Sequence, residues 1–148
     1  MTRKSEVITF LKISVCLTGF TEIELESTGM LEPYFEVLMN QNSLAVADAF
    51  LEQAAEIMNK YKDDPTQLQH EIKNNLMPDS KFNGITKNII RMWYLGNWGN
   101  IVVSPKAYTQ GLIWAVAGSH PPGAKQPGYA SWAYFPASAW WCRPARGG

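Results

Sequence analysis

Apolar residues recur at helical spacing along most of the chain, and this pattern predicts a helical protein. It is clearest over 44–61, where an apolar face opposes a charged one. The apolar face carries Leu44, Ala47, Leu51, Ala54, Met58 and Tyr61, and the opposite face carries Asp48, Glu52, Glu56 and Lys60. Similar patterns predict helices over 6–18, 22–27, 30–41, 65–75, 80–95 and 105–116. We therefore expect an all-α single domain, a bundle of five to seven helices.

Capping residues mark the ends of these predicted helices. Thr21 with Glu24 three positions later forms a capping-box pattern. The other predicted N-caps are Ser43, Asp64, Ser104 and either Asp79 or Ser80, with Pro65 and Pro105 at first helical positions. Gly19, Gly96 and Gly118 stand just past predicted C-termini. Residues 101–103 are β-branched but too few for a long strand, so we interpret them as an extended link, with pairing to the C-terminal tail as an open alternative.

From Gly118 onward, glycine and proline alternate with aromatic residues, and no helix is predicted. An irregular stretch of ~18 residues is unusual unless it wraps a surface or binds something. We therefore expect one domain over 1–136 with a long, irregular Gly/Pro/aromatic tail that wraps a surface from 118. Residues 137–148 are expected to be a vector-derived or disordered tail outside this domain.

Composition agrees with one globular domain. The chain has 148 residues, of which 46% are apolar and 18% charged, and this balance excludes a disordered tail, a coiled coil and a collagen-like chain. Cys16 and Cys142 give no metal-ligand or redox spacing, and Cys16 is predicted to be a buried, inert thiol. Glu6 and Lys12 interrupt the apolar start, so we predict neither a membrane span nor an export signal.

Charge is divided unevenly along the chain, although 13 basic and 13 acidic residues cancel overall. Every acid lies between Glu6 and Asp79, so residues 1–79 sum to 6 − 13 = −7, and residues 80–148 carry seven bases and no acid. Either the two parts neutralise each other on folding, or the basic part faces an acidic partner. The bases are scattered rather than clustered, so nucleic-acid binding is not predicted.

Tryptophan is concentrated in the basic part, with all six residues between Trp93 and Trp141. Trp93 and Trp114 lie on predicted helix faces and are expected in the core. Trp98 and Trp132 lie near glycines, where a core position and an interface position are equally expected.

Residues suited to catalysis are few. His70 lies among polar residues and is expected to be exposed, and Pro121 holds the backbone of His120 extended. No triad pattern and no glycine-rich phosphate loop is present. We therefore predict no catalytic, cofactor-binding or metal-binding residue in this chain.

Four segments together resemble a known family. HPPGAKQPGYASWA at 120–133 resembles the C-terminal signature of the small subunit of membrane-associated, FAD-dependent sugar and polyol dehydrogenases, which include sorbitol, fructose and glucose dehydrogenases. IIRMWYLGNW at 89–98, AYTQGLIWAVAG at 107–118 and FLKISVCLTGF at 10–20 are also similar to that family. The resemblance spans about 6–136.

This resemblance implies an accessory subunit rather than an enzyme. The small subunit of that family binds a large FAD-carrying flavoprotein, supports its folding in a chaperone-like way and, through the complex, meets a multihaem cytochrome c. The family is periplasmic or membrane-associated, although its twin-arginine signal has no counterpart here. We expect the partner interface to comprise Trp98, His120, Pro121, Pro122, Lys125, Tyr129 and Trp132. The alternative is a stand-alone carbohydrate-binding module that uses exposed Trp and Tyr.

Overall fold

The computed structural model describes residues 2–118. Its helices are α1 (Arg3–Thr18), α2 (Glu22–Ser27), α3 (Leu31–Gln41), α4 (Leu44–Lys60), α5 (Pro65–Glu71), α6 (Asn83–Leu95), α7 (Pro105–Thr109) and α8 (Leu112–Ala117). A π-helical turn (Ile72–Leu76) continues α5, and two short strands, β1 (Asn97–Trp98) and β2 (Ile101–Val102), form an antiparallel hairpin. The predicted all-α class is confirmed.

Most of the predicted caps are formed. The Thr21 hydroxyl accepts from the Glu24 amide at 3.2 Å, and the Thr21 amide donates to the Glu24 carboxylate at 2.8 Å, which completes the capping box. This backbone hydrogen bond, with a second from the Thr21 hydroxyl, lowers the pKa of Glu24. Ser43, Asp64 and Ser104 also accept from amides three residues on. These ends are fixed by local chemistry, which is why sequence identifies them.

The start of α6 corrects one prediction. Neither Asp79 nor Ser80 caps this helix, because α6 begins at Asn83 and Phe82 precedes it without a side-chain cap. The Asp79 carboxylate instead accepts from the Lys81 amide at 2.8 Å, in the turn before the helix.

At the chain start, α1 begins at Arg3, earlier than predicted, because Thr2 caps it.

The predicted helix over 105–116 is divided into α7 and α8. Gly111 has extended backbone angles (φ −58°, ψ 130°) that end the helical path. A Cβ at Gly111 would lie 2.6 Å from the carbonyl oxygen of Tyr94, so the chain passes very close to α6 here. Contact with α6 therefore interrupts a segment that is helical in its local pattern.

One apolar core joins the elements, with α1 packed against α2, α3, α4 and α6. Its centre is aromatic, because the Phe10 ring lies 5.9 Å from that of Phe35 and 6.2 Å from that of Trp93. Tyr34 meets the same Trp93 ring edge-on at 4.8 Å. Such pairs add about 0.5–1.5 kcal/mol beyond the area they bury.

Burial corrects two further predictions. Leu44 is 65% exposed rather than part of the α4 stripe, because it occupies the first turn of that helix. Trp93 is 1% exposed, which confirms its place in the core, but Trp114 is half-buried. Its ring packs edge-on against Tyr108 at 5.6 Å. The short α8 places Trp114 beside α7 instead of in the core.

Candidate protein interface at the C-terminal hairpin

Trp98 is the single predicted interface residue that lies within the described part of the chain. The other six, His120, Pro121, Pro122, Lys125, Tyr129 and Trp132, lie outside the described residues, as does the predicted wrapping tail beyond Gly118. Trp98 ends β1, is half-buried and packs against the apolar core. Trp98 therefore has features of both expected positions, because part of its side chain packs on the core and part is accessible for an interface.

The segment after Trp98 forms a hairpin rather than the predicted extended link. Asn97 pairs with Val102 and Trp98 with Ile101. The connecting loop has two residues, and its first, Gly99, has φ +62°. Glycine at the first position of a two-residue loop is typical of a type II′ hairpin turn. The Gly99-Asn100 pair is therefore a sequence signal for this hairpin, and hydrophobic periodicity does not contain it.

Two polar side chains of α6 hold the tip of the hairpin. The Gly99 amide donates to Asn88 Oδ1 at 3.1 Å, and Arg91 donates from its guanidinium to the Gly99 carbonyl oxygen at 3.0 Å. Residues three apart lie on the same side of a helix, so Asn88 and Arg91 reach the same turn. Both backbone groups of Gly99 are thereby satisfied, and the hairpin is fixed on α6.

Helices α7 and α8 are held against the same end of α6. Gly96 has φ +75°, and a Cβ there would overlap the backbone carbonyl of Ala107, so α7 packs directly on the end of α6. The indole N–H of Trp114 donates to the Tyr108 carbonyl oxygen at 2.9 Å, which ties α8 to α7. Lys106 also donates to the Gly29 carbonyl oxygen at 3.4 Å.

Exposed apolar side chains are concentrated in this region. Of the eight large hydrophobic residues that are exposed among residues 2–118, five lie between residues 95 and 116. We call these five the hairpin surface: Leu95, Ile101, Val102, Tyr108 and Val116. Ile101 is 71% exposed and Val102 50%. Successive strand residues point to opposite sides, so both sides of β2 are open.

The elements that carry the hairpin surface, residues 83–117, contain basic residues and no acidic ones. Lys81, Lys87, Arg91 and Lys106 are exposed, and no acid follows Asp79 in the sequence. Among residues 2–118 a single ion pair is present, between Arg3 and Glu36, and both partners belong to the acidic part of the chain. The basic part is therefore not neutralised by ion pairs with the acidic part within these residues.

Groups suited to catalysis are dispersed over the described structure. His70 lies exposed on α5, as predicted. Cys16 is half-buried on α1, and burial raises the pKa of its thiol, which keeps it protonated and weakly reactive near neutral pH. Within residues 2–118, no three His, Cys, Asp or Glu side chains come together as a potential metal site. In the same residues, no helix combines the length and apolarity that a membrane crossing needs.

Comparison of the chain with models of known protein families, with curated proteins and with solved structures gives no match.

Proposed function

We propose that this chain is a non-catalytic accessory subunit that binds the large subunit of an FAD-dependent sugar or polyol dehydrogenase and supports its folding. FAD would belong to that partner, and a multihaem cytochrome c would meet the chain through the complex. The observation that carries the proposal is the concentration of exposed apolar residues in the hairpin surface. Exposed apolar groups gathered in one region are typical of protein interfaces.

The position of the family-like segments supports the proposal. Residues 89–98 span the second half of α6 and β1, and residues 107–118 span most of α7 and all of α8. These elements contact one another, and α1, which contains most of the segment 10–20, packs against α6. The three resembling segments within residues 2–118 therefore contact one another, and they carry Trp98 together with Leu95, Tyr108 and Val116 of the hairpin surface.

Co-expression with the large subunit of an FAD-dependent sugar or polyol dehydrogenase from the same organism tests the proposal. We expect the two polypeptides to co-elute in size-exclusion chromatography, and we expect less soluble flavoprotein when this chain is omitted. The matched control is the flavoprotein co-expressed with an unrelated helical protein of similar size. If the two never co-elute and the flavoprotein is soluble and active alone, the proposal is wrong.

A sugar titration of the isolated chain separates this proposal from the carbohydrate-binding alternative. An accessory subunit gives no change in tryptophan fluorescence with sorbitol, fructose or glucose in the absence of its partner. A saturable change would favour the alternative.

A further inference from the structure

We infer that the hairpin surface docks on a partner protein whose matching surface is apolar and bordered by acidic side chains. This inference rests on the proposed function and deepens it, because it assigns the contact to particular residues and states the chemistry of the surface they meet. Ile101 and Val102 stand at its centre, on the outer strand of the hairpin.

The first argument is that these side chains are exposed yet held in place. Asn88 and Arg91 bind both backbone groups of Gly99, and β1 packs along α6. A partner that covers Ile101 and Val102 therefore loses little affinity to ordering of this loop. Preorganisation of this kind lowers the entropic cost of association.

The second argument concerns charge. Lys87 and Arg91 are four residues apart on α6, so they share the side of the helix that meets the hairpin tip. Together with Lys106, they are the charged residues of the elements over 83–117, which contain no acid. A surface bordered by Asp and Glu would complement this charge and accelerate association.

The positive charge of these elements also argues against two other occupants of the hairpin surface, which are a second copy of this chain and the chain's own residues 119–148. The hairpin surface of a second copy would bring an identical set of lysines and arginines opposite the first. Residues 119–148 of this chain carry Lys125, Arg143 and Arg146 and no acid. A second copy and residues 119–148 would each place positive charge against positive charge, which is unfavourable. A different polypeptide with an acidic border fits better than either.

Four substitutions in the full chain test the inference, with binding to the flavoprotein large subunit used in the co-expression experiment measured by titration. We expect Ile101→Ser to weaken binding about tenfold, as loss of a central contact does. We expect a loss of about the same size from Lys87→Glu, because it places a negative charge opposite the acidic border. The matched controls are Ile23→Ser, since Ile23 is 78% exposed on α2, and Lys12→Glu, since Lys12 is exposed on α1. Both controls should bind like the wild type. The Lys87→Glu variant should also lose part of the salt dependence of binding.

Each other outcome counts against the inference. If the wild type binds and all four variants bind equally well, the hairpin surface is not the contact, although the proposed function stands. If the wild type does not bind, the proposed function and this inference fail together.

If the isolated chain is a dimer that Ile101→Ser dissociates, a second copy covers the surface. If Ile101→Ser lowers the melting temperature of the isolated chain and Ile23→Ser does not, the chain covers its own surface.

Discussion

Tyr34 and Trp93 each carry a buried polar atom that has no hydrogen-bond partner among residues 2–118. The Tyr34 hydroxyl and the Trp93 indole N–H are both buried, and the two rings meet edge-on. Burial also raises the pKa of the Tyr34 phenol well above its ordinary value, so it stays protonated. An unpaired buried hydroxyl costs about 1–3 kcal/mol. The aromatic packing of the core therefore offsets a local penalty at this position.

This penalty predicts that Tyr34→Phe leaves the free energy of unfolding unchanged or raises it by up to about 1 kcal/mol, because it removes an unpaired group. The matched control is Tyr94→Phe, since the Tyr94 hydroxyl donates to the Thr18 carbonyl oxygen at 3.0 Å. That variant should lose about 1 kcal/mol. Urea unfolding measures both. Equal destabilisation by the two substitutions would mean that the Tyr34 hydroxyl has a partner, such as a buried water.

Among the elements, α6 has the largest organising role near the candidate interface. It contributes Ile89, Met92 and Trp93 to the core, and its polar side holds the hairpin through Asn88 and Arg91. At its end, Gly96 reverses the chain in the left-handed region and allows α7 to approach. One helix thus connects the core to the exposed apolar residues.

The close approach at Gly96 predicts that Gly96→Ala is much more harmful than Gly19→Ala. Both glycines have positive φ, so each substitution pays about 1–2 kcal/mol of backbone strain. A Cβ at Gly19 meets nothing within 4 Å, whereas one at Gly96 overlaps the Ala107 backbone. We expect Gly96→Ala to cost about 2–5 kcal/mol in total. Thermal unfolding of the two variants checks this, and equal losses would argue against the close contact.

Over the whole molecule, one core extends from α1 to α8 and includes residues from Val7 to Leu112. The aromatic centre joins α1, α3 and α6, and a second aromatic contact, between Phe50 and Phe82 at 5.6 Å, joins α4 to the turn before α6. The elements that carry the hairpin surface pack on this core rather than forming a separate unit. Such a continuous core favours cooperative unfolding.

Cooperative unfolding predicts that tryptophan fluorescence and far-ultraviolet circular dichroism report the same urea midpoint. Trp93 lies within the core, so its fluorescence follows tertiary packing, whereas dichroism follows the helices. Coincident curves would agree with one two-state transition. A separate fluorescence transition at lower urea would mean that the surroundings of at least one of the other five tryptophans change before the core unfolds.

The sequence by itself determined the all-α class, the positions of most helices and their caps, because helical periodicity and capping act over a few residues. It also determined the unequal charge of the two parts and identified Trp98 as a candidate interface residue. Only the tertiary structure decided that α7 and α8 are separate, that Leu44 is exposed, and that Ile101 and Val102 form an outer strand. The separation of α7 and α8 depends on a contact between distant segments, Gly111 with Tyr94, which no local pattern encodes. Gly99-Asn100 indicates a turn, but only the packing of the hairpin on α6 leaves Ile101 and Val102 exposed.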